Sequence, residues 1–195
     1  MDAAIPPTIA LFAKYPVPGE AKTRLIPALG AEAAAQVHRT LVERTIATIR
    51  EADLPFAVWF TGASRGDFAK WLGDDVQLVE QGEGDLGERL ARVPAPAILL
   101  GADIPDLPAL YLRQAISGLE ASHTVIGPAF DGGYYLLGFN DPAPFLFTDM
   151  PWGTDRVFAE TLDRLAGQEL SALMLKPLAD CDRPEDLDAW PELLP

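Results

Sequence analysis

The sequence predicts an α/β protein of three layers, in which helices cover both faces of a mixed, mostly parallel sheet. Residues 8–13 (TIALFA) and 97–100 (AILL) are short and continuously apolar, as expected of strands buried on both faces. Most strand patterns are followed by a helical pattern, which is the order that connects parallel strands. Residues 123–126 and 134–139 are consecutive strand patterns, and they predict antiparallel strands late in the chain.

The remaining elements follow from local patterns. The longest helix is predicted over residues 31–52, where aliphatic residues recur at helical spacing. Further strands are predicted over residues 56–60, 76–79 and 170–175, and further helices over residues 67–72, 86–92, 107–119, 153–165 and 184–190. A chain of 195 residues is long enough for one substantial core, so we expect a single domain over residues 1–195.

Charge and cysteine content limit the classes of function. The formal net charge of −14 disfavours nucleic-acid polymers and anionic membranes as partners, because both bind mainly through positive protein surface. A small phosphorylated ligand remains compatible with this charge. Cys181 is the single cysteine, and the sequence shows neither a signal-peptide pattern nor an apolar run near the roughly 20 residues that span a bilayer. We therefore expect a soluble, cytoplasmic protein.

A cationic loop follows the first predicted strand. Residues 12–25 (FAKYPVPGEAKTRL) contain two prolines and Gly19, which forbid regular structure. The same segment carries Lys14, Lys22 and Arg24 against a single acid. Lysine offers a mobile point charge and arginine a planar fork for two oxygens, so this loop is suited to gripping a polyphosphate. The alternative is a solvated basic loop that precedes a helix.

Asp103 directly follows the apolar strand pattern of residues 97–100. Ligands of open α/β sheets gather at the carboxyl ends of the strands, and a carboxylate there could hold Mg²⁺ jointly with phosphate oxygens. The structural alternative is helix capping. Asp106 lies nearer the predicted helix start at Pro108 and is the better cap candidate, so Asp103 is predicted to bind metal.

Residues 81–90 (QGEGDLGERL) contain Gly82, Gly84 and Gly87 in the spacing of a dinucleotide-binding fingerprint. That fingerprint belongs to the first strand–helix turn of its fold, whereas two predicted strands and about 80 residues precede it here. We therefore favour a flexible loop whose glycines let the backbone approach a ligand.

Two further acidic segments have both a structural and a functional interpretation. Asp131 lies in an Asp-Gly turn that predicts a hairpin, but it could also orient an acceptor within aromatic walls formed by Tyr134, Tyr135 and Trp152. Asp182 precedes the last predicted helix and could be its cap or a second metal ligand.

Other titratable residues carry weaker signals. Asp186 lies inside the last predicted helix, where acids near the N-terminus are favoured, and it is interpreted as structural. His38, His123 and Cys181 have no evident partner in the sequence, so no nucleophile–base pair is predicted.

Six segments occur in an order that resembles one family: FAKYPVPGEAKTRL, QGEGDLGERL, GADIPDLP, GPAFDGGYYLLG, PWGTDRVF and DCDRPEDL. Together they resemble an uncharacterised family of glycosyltransferase-A-like proteins, described as radical-SAM/selenodomain-associated transferases. AKTRL is also similar to the loop of 2-phospho-lactate guanylyltransferase, and DRPEDL to the terminal DTPEDL of molybdenum-cofactor nucleotidyltransferases and sugar-acid cytidylyltransferases. The resemblance covers nearly the whole chain, and it implies the Rossmann-like nucleotide-diphospho-sugar transferase fold.

The resemblance also implies roles for individual residues. Asp103 and Asp182 are expected to hold Mg²⁺ or Mn²⁺, and residues 81–87 to adjoin the base. The expected nucleotide-binding residues are Lys14, Gly19, Lys22, Thr23, Arg24, Gln81, Gly82, Gly84 and Gly87. The candidate catalytic residues are Lys22, Arg24 and Asp131.

The sequence departs from the family pattern at four positions. Ala102 and Ile104 stand where Thr and Ser are expected, Gly153 stands where Ser is expected, and Arg183 replaces Thr. The missing hydroxyl groups remove expected contacts around the metal and acceptor, but they leave both principal carboxylates in place.

Three functions follow as hypotheses. The first is Mg²⁺-dependent nucleotidyl transfer, in which a small phosphorylated acceptor attacks the α-phosphate and pyrophosphate leaves. The second is glycosyl transfer from a nucleotide-sugar, with Asp131 as base and a nucleoside diphosphate as product. The third is a non-catalytic nucleotide-binding protein, because fold does not determine function. The expected partners are a nucleotide or nucleotide-sugar and a small acceptor, and a homodimer is left open.

Overall fold

The computed structural model describes residues 7–194, and within this range one mixed sheet of seven strands organises the chain. Their order across the sheet is β3-β2-β1-β4-β6-β5-β7. The strands are β1 (Thr8–Lys14), β2 (Phe56–Thr61), β3 (Leu78–Glu80), β4 (Ala97–Leu100), β5 (Thr124–Pro128), β6 (Tyr134–Phe139) and β7 (Ala172–Met174).

The pairing of the strands confirms the predicted sheet. β1 lies between β2 and β4 and is parallel to both, and β3 extends the parallel part beyond β2. β6 runs antiparallel to β4 and to β5. Its direction relative to β5 follows from the tight Asp-Gly connection between these two strands. The carboxyl ends of β1 and β4 therefore lie side by side at one edge of the sheet.

Helices cover both faces of the sheet, as predicted. The α-helices are α1 (Ile26–Leu29), α2 (Ala31–Ala52), α3 (Arg65–Leu72), α4 (Leu86–Leu90), α5 (Ala109–Leu119) and α6 (Val157–Gly167). Short 3₁₀ segments span Thr23–Leu25, Pro144–Leu146, Pro184–Ala189 and Pro191–Leu193. Side chains alternate along β1, so that Ile9 and Leu11 pack with α2 and α5 while Ala10 packs with the side of α4 and α6.

Some predicted boundaries differ from the observed ones. The helix predicted from residue 153 begins at Val157, because Thr154 forms a turn in which its hydroxyl donates to the Pro151 carbonyl over 2.8 Å. The helix predicted from residue 107 begins at Ala109, because Pro108 is extended. The predicted cap at Asp106 is wrong: its carboxylate accepts a hydrogen bond from Trp190 Nε1 over 2.7 Å instead.

Other differences are small. Strand β3 begins two residues later than predicted, and α1 with the 3₁₀ turn before it were not predicted, because each is too short to show periodicity. In the part of the chain that the structure describes, no helix is both long and apolar enough to cross a bilayer.

Candidate active site

A cavity of about 370 Å³ opens at the carboxyl ends of β1 and β4. Its inner wall is apolar, formed by Phe12 of β1, Leu99 and Leu100 of β4, and Leu86 and Leu90 of α4. Tyr134, Tyr135 and Trp152 form an aromatic wall, as the sequence suggested. Clefts of this size with apolar and aromatic walls accommodate flat organic groups such as a nucleobase and its ribose.

A second, polar cavity of about 340 Å³ adjoins the first, because Lys14, His38 and Asp103 line both. Its other walls come from the cationic loop and from Asp182. A ligand with an apolar end and a highly charged end would fit across the two compartments.

The cationic loop has the irregular backbone that its prolines and glycine predicted. Gly19 has φ of 86°, where an L side chain would be strained. Lys22 also lies in the left-handed region, with φ and ψ of 47°, immediately before the 3₁₀ turn Thr23–Leu25. A non-glycine residue held there is uncommon and is typical of functional loops. The side chain of Lys22 is 4% exposed, so this turn directs it inward.

The ammonium group of Lys22 is bound by three oxygens. Its Nζ lies 2.6 Å from Asp103 Oδ1, 2.7 Å from the carbonyl oxygen of Cys181 and 3.4 Å from Asp182 Oδ1. The Asp103 side chain is 53% exposed and that of Asp182 is 28% exposed, so Lys22 is the buried centre of the cluster. The structure thus brings together the candidate phosphate-binding lysine and both candidate metal ligands.

The electrostatics of this cluster favour the ionised forms. Burial alone would lower the pKa of Lys22, but attraction and hydrogen bonding to Asp103, with help from Asp182, outweigh burial and raise it. Partial desolvation by the surrounding protein would raise the pKa of Asp103, whose side chain keeps some contact with solvent, but the charge and hydrogen bond of Lys22 lower it below the usual value. The pair is therefore charged at neutral pH.

The other two cations of the loop are more open to solvent. Arg24 forms an ion pair with Asp182, and its side chain is 54% exposed. Lys14 Nζ lies 3.1 Å from Glu20 Oε2 and from the Glu20 carbonyl oxygen, and it lines both cavities. Both side chains remain exposed in these ion pairs, so Lys14 and Arg24 can each exchange the paired acid for an anionic ligand.

The carboxylates of Asp103 and Asp182 fit a divalent cation. Each places one oxygen in contact with the same atom, Lys22 Nζ, so the two side chains converge on a single positive charge. Carboxylate oxygens are the ligands that Mg²⁺ and Mn²⁺ prefer. Two carboxylates are too few to enclose the ion: residues 7–194 contain no cluster of three or more His, Cys, Asp or Glu side chains for a metal. Phosphate oxygens and water would complete the shell, as is usual for Mg²⁺.

Asp182 is not the cap of the last short helix. The backbone N–H groups of Asp182 and Arg183 both donate to Asp186 Oδ2, over 2.9 and 2.7 Å. Asp186 therefore has the structural role predicted for it, and it leaves the Asp182 carboxylate available to the site.

His38 is a site residue that the sequence did not reveal. It lies on α2, is 9% exposed and lines both cavities. Its Nε2 is 2.8 Å from the carbonyl oxygen of Lys14, which can only accept, so Nε2 carries a proton. Burial lowers its pKa, which favours the neutral ring. Its signal in the sequence was a histidine on the apolar stripe of the longest helix.

The glycine-rich segment contributes to the cavity mainly through leucines. Gln81 is buried and its side-chain amide donates to the Trp59 carbonyl over 2.8 Å, so it is engaged by strand β2. Gly82 and Gly84 have positive φ, whereas a Cβ on Gly87 would lie 2.3 Å from the Phe147 carbonyl oxygen. Turn geometry and close packing therefore explain the three glycines, and nucleotide contacts by this segment stay a prediction.

Asp131 lines the first cavity and also a third cavity of about 540 Å³. Its Oδ1 accepts a hydrogen bond from the Gly133 N–H over 2.9 Å, which supports the predicted turn. Burial, followed by the nearby negative charge of Asp131, raises the pKa of Asp180 in the same cavity. Asp131 thus combines a structural contact with access to two cavities.

The four positions that depart from the family pattern fall into two groups. Ala102 and Ile104 are both 4% exposed and belong to the core beside Asp103, where an apolar side chain is well accommodated. Gly153, with φ of 75°, and Arg183 line the third cavity. The departures thus affect core packing beside Asp103 and the surface of the third cavity.

The order of the strands, with a cavity at the carboxyl ends of β1 and β4, is that of the nucleotide-diphospho-sugar transferase fold. Similarity to solved structures shows this fold. One is a protein of Desulfovibrio desulfuricans G20 described as a candidate nucleotide-diphospho-sugar transferase, with 31% identity, a TM-score of 0.87, and coverage of 93% of this chain and 84% of that chain. Residues 45–154 match a family described as uncharacterised proteins conserved in bacteria (DUF2064), and the chain belongs to this family.

More distant structures share the fold alone. CMP:2-keto-3-deoxy-manno-octonic acid synthetase, solved with CTP, has 11% identity and a TM-score of 0.57, over 97% of this chain and 98% of that chain. Glucosyl-3-phosphoglycerate synthase of Mycobacterium tuberculosis, solved with Mn²⁺, UDP and phosphoglyceric acid, has 14% identity and a TM-score of 0.53, over 94% of this chain and 74% of that chain. No protein with a curated description matches the chain in sequence.

The predicted fold and superfamily are confirmed by these likenesses. The narrower resemblance to radical-SAM/selenodomain-associated transferases stays a prediction.

Proposed function

We propose that the protein is a divalent-metal-dependent transferase that uses a nucleoside triphosphate or a nucleotide-sugar, and most simply a nucleotidyltransferase. The observation that carries this proposal is the convergence of Asp103 and Asp182 on one cation position, between the apolar cavity and the cationic loop. The fold supports it, because structures of this fold have been solved with CTP and with UDP and Mn²⁺.

The two adjoining cavities suggest how a nucleotide would lie. The base and ribose would occupy the apolar cavity, between Phe12, Leu86 and the aromatic wall. The phosphates would then enter the polar cavity, which is lined by Lys14, Thr23 and Arg24. Charge-assisted contacts from these cations would offset the repulsion between a polyanion and a chain of net charge −14.

Asp103 and Asp182 would hold Mg²⁺ or Mn²⁺. When bound, the ion would polarise phosphate oxygens and neutralise negative charge that develops on the leaving group. Arg24, which lines the same cavity, would stabilise the same charge, and Lys22 would do so once released from its carboxylates.

In nucleotidyl transfer, an acceptor oxygen would form a bond to the α-phosphorus, and the bond from that phosphorus to the bridging oxygen would break. Pyrophosphate would leave with the bonding electrons. The third cavity adjoins this region through Arg24, Asp131 and Asp182. Its lining contains five aspartates and two arginines, so a small phosphorylated acceptor would have to place its phosphate against Arg24 and Arg183. Cys181 is no competing nucleophile, since burial raises the pKa of its thiol to about 11.

Glycosyl transfer from a nucleotide-sugar is the second candidate. Asp131 favours it, because this carboxylate lines both the nucleotide cavity and the third cavity and could accept a proton from an acceptor hydroxyl. The acceptor oxygen would form a bond to the anomeric carbon of the donor, the bond between that carbon and the phosphate oxygen would break, and a nucleoside diphosphate would leave with the bonding electrons.

Product analysis tests the proposal. The protein would be incubated with Mg²⁺, a panel of nucleoside triphosphates and nucleotide-sugars, and a panel of sugar phosphates and phosphorylated hydroxy acids. Pyrophosphate as product would support nucleotidyl transfer, and nucleoside diphosphate together with a glycosylated acceptor would support glycosyl transfer. Asp103→Asn is the matched negative control. Nucleotide binding by calorimetry without any turnover would indicate a binding protein and contradict both enzyme proposals.

A further inference from the structure

The ammonium of Lys22 has no donor left for a phosphate. An ammonium group has three N–H donors. Three protein oxygens lie within 3.4 Å of Lys22 Nζ, from Asp103, Asp182 and the Cys181 carbonyl. The side chain is 4% exposed, so water is excluded from most of it. In this arrangement Lys22 pairs with Asp103 and shares Asp182 with Arg24, so its ammonium cannot also bind a nucleotide.

A metal ion at the same carboxylates would compete with Lys22. A Mg²⁺ ion bound to Asp103 Oδ1 at roughly 2.1 Å would lie within about 5 Å of the ammonium that contacts the same oxygen. Two cations at this separation repel each other strongly in a site that is partly shielded from water. The carboxylates of Asp103 and Asp182 can therefore bind either the ammonium or the metal fully, but not both.

We propose that Lys22 is a built-in counter-ion that competes with the divalent metal for Asp103 and Asp182, so that metal and nucleotide bind as a coupled pair. This inference rests on the proposed function and extends it to the regulation of the same site. Metal alone would have to expel a buried ammonium from three hydrogen bonds with no anion to receive it. A nucleoside triphosphate supplies phosphate oxygens for Lys22, and the carboxylates then become available to the metal.

Lys14 provides an internal comparison. It belongs to the same loop region and lines the same two cavities, but its side chain is 39% exposed and its ion pair is with Glu20. Lys14 therefore adds a similar positive charge to the region without contacting either candidate metal ligand. A purely general electrostatic effect on metal binding would involve Lys14 and Lys22 alike.

Binding of Mn²⁺ alone, followed by electron paramagnetic resonance, tests the competition directly. Lys22→Met should bind free Mn²⁺ at least about tenfold more tightly than the wild type, because removal of the ammonium frees Asp103 and leaves Asp182 paired only with the exposed Arg24. Lys14→Met should bind Mn²⁺ within about twofold of the wild type, because it leaves the carboxylates paired. Equal Mn²⁺ affinity in wild type and Lys22→Met, or an equal gain in both variants, would overturn the proposal.

A second measurement uses the wild type, so it does not depend on the variant folding. Acetylation of lysines by acetic anhydride, quantified by mass spectrometry, should be slow at Lys22 in the absence of metal. Mg²⁺ at a concentration that saturates binding by calorimetry should increase the rate at Lys22 several-fold. Lys70, which is 82% exposed, reports any general effect of Mg²⁺ on the reagent. Continued protection of Lys22 while Mg²⁺ is bound would contradict the competition.

The outcomes separate this inference from the proposed function. Tight binding of Mn²⁺ by the wild type without nucleotide, together with product formation, would reject the competition and leave the transferase intact. Failure of both the wild type and Lys22→Met to bind Mn²⁺ would reject the metal site itself, and the proposed metal-dependent function with it.

Discussion

The imidazole Nε2 of His38 donates a hydrogen bond to the main-chain carbonyl oxygen of Lys14 over 2.8 Å. This contact joins α2 to the last residue of β1, at the point where the cationic loop leaves the sheet. It also places a buried, neutral side chain between the two cavities of the site. Several properties of the site should therefore depend on a residue that carries no charge in the resting protein.

His38→Ala should lower the free energy of unfolding by about 1–3 kcal/mol, because it leaves the partly buried Lys14 carbonyl without its donor. Urea denaturation followed by circular dichroism measures this change. His123→Ala is the control, because His123 pairs with Ser171 in an exposed contact and its loss should cost no more than about 0.5 kcal/mol. Equal losses of stability in the two variants would show that the contact with Lys14 contributes no more to the free energy of unfolding than the exposed contact of His123.

Stability should fall as the pH is lowered from 7 to 5, in part because of His38. Burial lowers the pKa of His38 below its ordinary value of 6.5, so the unfolded chain binds a proton that the folded chain excludes. The resulting stabilisation is complete above the unfolded pKa and is lost as the pH falls through 6.5 towards the lower folded pKa. The melting temperature of His38→Gln should depend less on pH over this interval. An identical dependence of the melting temperature on pH in wild type and variant would be inconsistent with a buried neutral His38.

Asp103→Asn should weaken metal-dependent nucleotide binding at least roughly 100-fold, since even the loss of an outer partner of a metal ligand costs 10- to 100-fold. Calorimetric titration with a nucleoside triphosphate in the presence and absence of Mg²⁺ measures this effect. Asp106→Asn is the matched control, because that carboxylate contacts Trp190 and its amide counterpart can still accept the hydrogen bond. If Asp103→Asn binds nucleotide and Mg²⁺ like the wild type, Asp103 is not a metal ligand.

Arg24→Ala should weaken binding of a nucleoside triphosphate by about 1.5–3 kcal/mol at low salt, while binding of the nucleoside stays unchanged. The difference should shrink as salt is added, because the Arg24 side chain is 54% exposed and its interactions are screened. Arg44→Ala removes an arginine paired with Glu192 outside the site and serves as the control. Wild-type triphosphate affinity in Arg24→Ala at low salt would support the alternative of a solvated basic loop.

Gly87→Ala should destabilise the fold by about 1–3 kcal/mol, as overpacking does. Its Cβ would meet the Phe147 carbonyl oxygen at 2.3 Å and Trp152 Nε1 at 3.0 Å, and the backbone oxygen cannot move freely. Gly167→Ala at the end of α6 is the control, since nothing lies within 4 Å of its Cβ position. Denaturation midpoints of the two variants measure the contrast, and similar midpoints would reject the packing explanation for Gly87.

Much of the fold was predictable because its signals are local. The periodicity of residues 31–52 predicted α2 at its observed bounds, and the apolar run at residues 97–100 predicted β4. Predicted boundaries were wrong where a side chain redirected the backbone, as Thr154 does before α6. Short elements such as α1 escaped prediction because four residues show no period.

The sequence alone also predicted which charged side chains gather at one edge of the sheet. The prolines and Gly19 make the cationic loop irregular, and Asp103 must lie near it because β1 and β4 end at the same edge of a parallel sheet. Lys14, Lys22, Arg24 and Asp103 could therefore be assigned to one region from their positions relative to the strands, whereas Asp182 was expected there only through the family resemblance.

Only the tertiary structure decided how these charges are paired. Lys22 contacts Asp182 across 160 positions of the chain, and its side chain is buried, whereas those of Lys14 and Arg24 are exposed. The partner of a charged side chain depends on which group is desolvated and which oxygens converge on it, and neither is encoded in local sequence. His38 entered the site for the same reason, because the packing of α2 against β1, and not any motif, directs its ring to the Lys14 carbonyl.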